Sequence, residues 1–181
     1  MVPGIYVISP SKNKGFEITG GTVLGENIMI YNTGGSYNPV DGSPDYSDGN
    51  SLPPSGNNNG YAGIKFTGGT INLNPINLKS LADKGKSHGS MYSGAKTVSA
   101  DFDGMLFFQR RHNKEDIKIT GIEGALTGTL YAKWALFDIS GQGTYDAQFI
   151  AGSMSVTGNG TVTVLGAGDK RGRANNVFLV E

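Results

Sequence analysis

The sequence predicts an all-β chain, a single-domain right-handed parallel β-helix (solenoid) over residues 1–181, with loop insertions at residues 32–60 and about 77–97. Three observations predict it. Two phrases recur in step between Ile117 and Leu165. Ile117-Lys118-Ile119-Thr120-Gly121 returns as Phe137-Asp138-Ile139-Ser140-Gly141 and again as Met154-Ser155-Val156-Thr157-Gly158. Leu126–Ala132, Tyr145–Ala151 and Thr161–Leu165 form the second phrase. Ile119 to Ile139 is 20 positions and Ile139 to Val156 is 17, a spacing at which each repeat covers the apolar face of its neighbour. Glycine is the second observation: 29 of 181 residues, about twice the ordinary share, scattered among alternating Val, Ile, Thr and Phe. Corner chemistry is the third. The corners carry single glycines or Gly-Asn-Gly, whereas the competing antiparallel sandwich needs two-residue hairpin turns between equal strands.

Taken in order, Val2-Pro3-Gly4 turns into a strand at Ile5-Tyr6-Val7-Ile8, and a polar corner follows from Ser9 to Gly15. Phe16-Glu17-Ile18-Thr19 alternates, Gly20-Gly21 turns, and Thr22-Val23-Leu24 leads through a corner at Gly25-Glu26-Asn27 to Ile28-Met29-Ile30-Tyr31. That last run barely alternates, as expected of a strand covered on both faces. Residues 32–60 hold four of the seven prolines and almost no large aliphatics, so they read as an excursion from the coil. Strands resume at Tyr61–Phe66 and at Thr70-Ile71-Asn72-Leu73, which echoes Thr19 to Leu24. In the second insertion Leu78–Lys84 is the one helical turn the pattern allows. Gly104–Gln109 is a strongly apolar strand, Arg110–Asp116 a charged corner, and Asn176–Val180 a final strand. The expected inward stack is Ile119, Ile139 and Val156.

The serial order of these phrases resembles one group of proteins. Pro3–Ile8, Ile28–Asn32, Tyr61–Ile64, Gly104–Arg110, Ile119–Gly121, Leu126–Ala132 and Val156–Thr161 follow the order found in the extracellular C-terminal region of TadG-like proteins. These belong to the tight-adherence (Flp) pilus system, and PilX-like surface domains are related to them. The resemblance covers nearly the whole chain outside the two insertions. It implies an exported, cell-surface β-solenoid acting in pilus assembly, adhesion or an extracellular matrix, with no catalytic residues. The membrane segment and von Willebrand-type domain that usually accompany this region have no counterpart in the 181 residues, which implies a released or polymerised fragment.

Composition sets bounds on partners. With 15 basic and 15 acidic residues there is no electrostatic footprint for nucleic acid or an anionic membrane. Lys170-Arg171-Gly172-Arg173 reads as a solvated turn beside Asp169. The absence of cysteine excludes disulfides, thiolate metal sites and thiol catalysis. No run approaches the roughly 18 apolar residues of a membrane helix. Met1-Val2-Pro3-Gly4 lacks the features of a secretory signal, so export implies a mature piece of something longer.

Candidate sites are few. Asp41, Asp45 and Asp48 offer oxygen ligands on a flexible loop that suits calcium, without the EF-hand spacing; an ordinary Asp/Gly turn cluster is the favoured reading. Tyr37, Tyr46 and Tyr92 are aromatics set in polar insertions, where each either folds back or docks onto a partner or a glycan. Asp101, Asp103, Arg110 and Arg111 are the only set that could act on acidic polysaccharide, and strand-end charges are the simpler reading. His88 and His112 read as surface histidines, and no nucleophile elbow or phosphate loop occurs. The expectation is therefore a non-enzyme with no cofactor beyond calcium. It is an extracellular structural or adhesive protein that forms homo-oligomers or filaments through open coil ends, or joins other domains of a surface protein. A polysaccharide-binding or polysaccharide-cleaving β-helix is the alternative.

Overall fold

The computed structural model describes residues 1–10, 15–34, 60–77, 102–158 and 161–164, and within them the chain is all β, with no α-helix. Ten strands form one sheet: β1 (Gly4–Ile8), β2 (Phe16–Thr19), β3 (Thr22–Asn32), β4 (Ile64–Thr67) and β5 (Thr70–Pro75), then β6 (Met105–Gln109), β7 (Ile117–Thr120), β8 (Ala125–Ser140), β9 (Gly143–Thr157) and β10 (Val162–Val164). Every pairing is parallel. β3 pairs with β5 and β6, and β8 pairs with the same two, so these four strands close upon themselves.

The registers sort the strands into three stacks. One holds β1, Ile28–Asn32 of β3, β6, and the middle segments of β8 and β9, with Tyr6, Ile30, Phe107, Leu130 and Phe149 at one level. A second holds β2, β4, β7 and the ends of β8 and β9. The third joins the start of β3, β5, the starts of β8 and β9, and β10. β3 belongs to two stacks and β8 and β9 to all three because the long strands bend instead of breaking, with register shifts between Gly25 and Ile28 in β3 and between Ala132 and Leu136 in β8. Asn27 takes the bend in β3 with φ 56, a conformation Asn tolerates better than most residues, and its buried Oδ1 accepts the Asn77 N–H at 3.1 Å. The first bend corrects the expected corner at Gly25-Glu26-Asn27, which is continuous strand in the fold.

The repeats read from the sequence lie in register. Ile119 pairs with Ile139 and Ile139 with Val156, and Leu126–Ala132 pairs with Tyr145–Ala151 residue for residue. The second phrase's third copy is offset, since Val164, not Thr161, faces Tyr145. The first phrase occurs five times, with further copies at Phe16-Glu17-Ile18-Thr19-Gly20 and Ile64-Lys65-Phe66-Thr67-Gly68. Each copy ends in a glycine at positive φ, from 54° at Gly121 to 117° at Gly158, a turn that a Cβ would strain. The corner N–H of one copy donates to the carbonyl before the corner in the next: Gly20 to Thr67, Gly68 to Thr120, Gly121 to Ser140, all at 2.8 Å, and Gly141 to Thr157 at 3.1 Å.

Alternation then decides burial. Ile64, Phe66, Ile117, Ile119, Phe137 and Ile139 point into the main apolar core, whose largest members also include Phe107 and Tyr145. Phe66 lies against Phe107 with ring centroids 5.6 Å apart, and Phe137 against Phe149 at 5.2 Å. Val156 departs from the expected stack: it holds its register position but is 51% exposed, because no described strand pairs with β9 beyond it. The expected helical turn at Leu78–Lys84, the final strand at Asn176–Val180 and the interiors of both insertions lie outside the described residues.

Candidate functional site

Of the residues singled out by sequence, Asp41, Asp45, Asp48, Tyr37, Tyr46, Tyr92, His88 and Asp101 lie outside the described residues. Among the described residues no three His, Cys, Asp or Glu side chains come together as a metal site. The arginines of the polysaccharide reading point different ways. Arg110 is 2% exposed and its Nη1 donates to Thr33 Oγ1 at 3.3 Å. Arg111 Nε donates to the Tyr131 hydroxyl at 3.0 Å. His112 is half-buried in the following turn, its Nε2 enclosed without a hydrogen-bond partner among the described residues.

Arg110 sits at a polar corner that the composition did not single out. Asn32 and Gln109 end strands that pair in register. Asn32 Nδ2 donates to the Ala62 carbonyl at 2.7 Å and to Gln109 Oε1 at 3.0 Å, and Gln109 Nε2 donates to the Glu115 carbonyl at 2.7 Å. Asn113 Nδ2 also donates to the Ala62 carbonyl, at 3.0 Å, while its Oδ1 accepts the Glu115 N–H at 2.9 Å. These amides occupy the backbone groups around Ala62, which explains why β4 starts at Ile64 and not at Tyr61 as the pattern predicts. The amide hydrogen bonds rigidify this corner, with the buried Asn32 Oδ1 left without a hydrogen-bond partner among the described residues. The in-register polar pair Asn32 and Gln109, each closing an apolar strand, was the signal available in the sequence.

On the outer side of the first stack, Val7, Tyr31, Phe108, Tyr131 and Ile150 share one level. Phe108 stacks on Tyr131 with centroids 4.9 Å apart and planes 5° from parallel, and Tyr31 and Phe102 meet Phe108 edge-on. With Met29, Met105 and Ile76 this row makes a second apolar cluster, so its rings are largely spent on one another.

The two ends of the stacks differ from everything between them. Among the described residues, β1, β2 and Thr22–Gly25 each pair on one side only, as do β10 and Gln148–Thr157 of β9. All the exposed large apolar side chains among the described residues fall there: Met1, Val2, Val7 and Leu24 at one end, Ile150, Met154 and Val156 at the other. Proteins ordinarily blunt a strand edge with lysine, proline or an inward charge. Residues 148–158 contain no charged residue and no proline. The open ends are thus the best candidate site, and their chemistry is unpaired backbone flanked by apolar side chains.

Comparison with protein-family models, with curated proteins and with solved structures found no match. The likeness to TadG-like surface proteins therefore rests on the serial order of the strand phrases alone.

Proposed function

We propose that this chain is an extracellular structural or adhesive protein of a pilus, filament or cell-surface matrix, built as a right-handed parallel solenoid and assembling through its open ends. The observation that carries this reading is the pair of strand edges with exposed apolar side chains, one at each end of the stacks, of which residues 148–158 carry no charge at all. Parallel in-register pairing supports the coil, because copies stacked end to end meet the same geometry that strands meet within one copy. No described feature favours the polysaccharide reading over this one: the aromatic row stacks on itself, and Arg110 is turned inward.

Negative-stain electron microscopy and sedimentation of the purified full chain, with and without a calcium chelator, test the proposal. Filaments or concentration-dependent oligomers are expected. Their loss on chelation would assign calcium a role and direct attention to Asp41, Asp45 and Asp48. A monodisperse monomer at high concentration would overturn assembly as the function.

A further inference from the structure

The corner hydrogen bonds form a series with a missing last term. Gly20, Gly68, Gly121 and Gly141 each donate to the carbonyl of the residue before the next corner glycine along the stack, at Thr67, Thr120, Ser140 and Thr157. Gly158 is the fifth corner, with φ 117, and among the described residues its N–H has no acceptor of this kind. At the opposite end the Thr19 carbonyl occupies the accepting position of the series and, among the described residues, has no corner donor above it. Thr19 and Gly158 therefore carry the two halves of one bond of the series, and neither half is matched among the described residues.

We propose that a second copy of this chain docks head to tail and completes the series. Gly158 N–H of one copy donates to the Thr19 carbonyl of the next, and β1, β2 and Thr22–Gly25 of that copy lie as one further lap on Gln148–Thr157 and β10. The proposal rests on the self-assembly reading above and deepens it by specifying partner, polarity and register.

Side chains agree with the backbone at several of the levels the registers define. In the second stack Phe16 comes to rest on Met154, Ile18 on Val156 and Thr19 on Thr157, extending the columns Ile18–Phe66–Ile119–Ile139–Val156 and Thr19–Thr67–Thr120–Ser140–Thr157. The second column is already a hydroxyl row, in which Ser140 Oγ donates to Thr120 Oγ1 at 3.1 Å. In the first stack Tyr6 covers Phe149 and Val7 covers Ile150, so exposed apolar residues at the two ends meet each other. In the third stack Val23 falls over Val162.

Charge is compatible as well. Glu17, which pairs with Lys65 at 2.8 Å on its own side, faces the neutral Ser155 across the joint, and the last lap brings no acid against it. A two-fold joint has no such match. It would set β2 antiparallel to another β2, or β9 to another β9, and leave the Gly158 and Thr19 groups unmated.

The native chain has no cysteine, so engineered thiols report the joint directly. Thr19→Cys and Thr157→Cys alter exposed residues at strand ends, and neither disturbs the core. Neighbouring strands stand roughly 4.8 Å apart, inside the Cα window of a disulfide of about 4.4–6.8 Å. Mixing the two single variants under mild oxidation should give a mixed dimer, and the double variant a covalent ladder. The offset pair Thr19→Cys with Met154→Cys should cross-link at least about tenfold more slowly. Adding Val156→Lys to the Thr157→Cys copy should suppress the mixed dimer.

Four results overturn the inference, and they are distinguishable. Oligomers in sedimentation with equal or faster offset cross-linking would sink the register while leaving self-assembly standing. Oligomers with no cross-link in either pair would do the same. Thr19–Thr19 or Thr157–Thr157 dimers would replace the head-to-tail joint with a two-fold one. Monomers throughout, as expected if residues 165–181 of the same chain cover the last lap, would remove both this inference and the assembly reading.

Discussion

Tyr145 shows how much a single buried group reports about this core. It is fully enclosed, its hydroxyl has no hydrogen-bond partner among the described residues, and Gly143 beside it leaves no room for a side chain. Burial pushes its phenol from an ordinary 10.0 up to about 12. A raised value means the folded state keeps the proton where the unfolded chain has lost it. This contribution to stability is complete below about pH 10 and is lost as the pH rises through about 12. Tyr145→Phe should change stability at neutral pH by no more than about 1 kcal/mol, since it removes an unpaired polar atom and keeps the ring. Denaturant melts at successive alkaline pH values should show the native chain losing ground to Tyr145→Phe between pH 10 and about 12. Parallel curves for the two proteins would mean that the phenol is not shielded.

Strands are the scale at which one column separates packing from assembly. Ile139 and Val156 occupy the same level of the second stack, yet Ile139 is fully buried and Val156 is half open. Ile139→Ala should cost the folded chain roughly 2–5 kcal/mol, because it empties a site closed on both sides by Ile119 and Val156. Val156→Ala should cost the isolated copy less than about 1 kcal/mol, as a partly solvated site at an edge leaves no closed cavity. The order reverses for association: Val156→Ala should weaken oligomers in sedimentation at concentrations where Ile139→Ala, if folded, still forms them. Equal effects of both substitutions on unfolding would show that the last lap is covered within one copy. The exposed pair Lys65–Glu17 is a poor place to look for stability, since both side chains are more than half solvated.

For the whole molecule, the pairing pattern dictates a gradient. Each strand hydrogen-bonds only to its neighbours along a stack, so amide protection depends on how many laps lie to either side. Hydrogen exchange should be slowest in β4, β7 and the centre of β8, and fastest in β1, β2 and β10. Assembly in the proposed register should slow exchange at the two ends, with Gly158 and the neighbouring strand ends most affected, and leave the centre unchanged. Uniform protection along the stacks in a monomer would contradict the nearest-neighbour picture. Folding should be slow, because partners such as Phe16 and Ile64 are 48 positions apart and close large loops before contact rewards them.

All-β character, the repeating phrase with its corner glycines, and the register of Ile119, Ile139 and Val156 were legible in the sequence. They are local: strand alternation, positive-φ turns and a fixed repeat length need no knowledge of distant residues. The same local signals missed the two earlier copies at residues 16–20 and 64–68 as members of one column, because long insertions hide the period. Only the tertiary structure decided that the corner at Gly25–Asn27 is a bend in a continuous strand, since β5 pairs with the chain before and after it. It also decided that Arg110 turns inward, that Asn32, Gln109 and Asn113 close one corner, and that Val156 stands open. Burial and hydrogen-bond satisfaction are properties of what lies across the stack, and a linear pattern fixes which residues can face inward without fixing what will cover them.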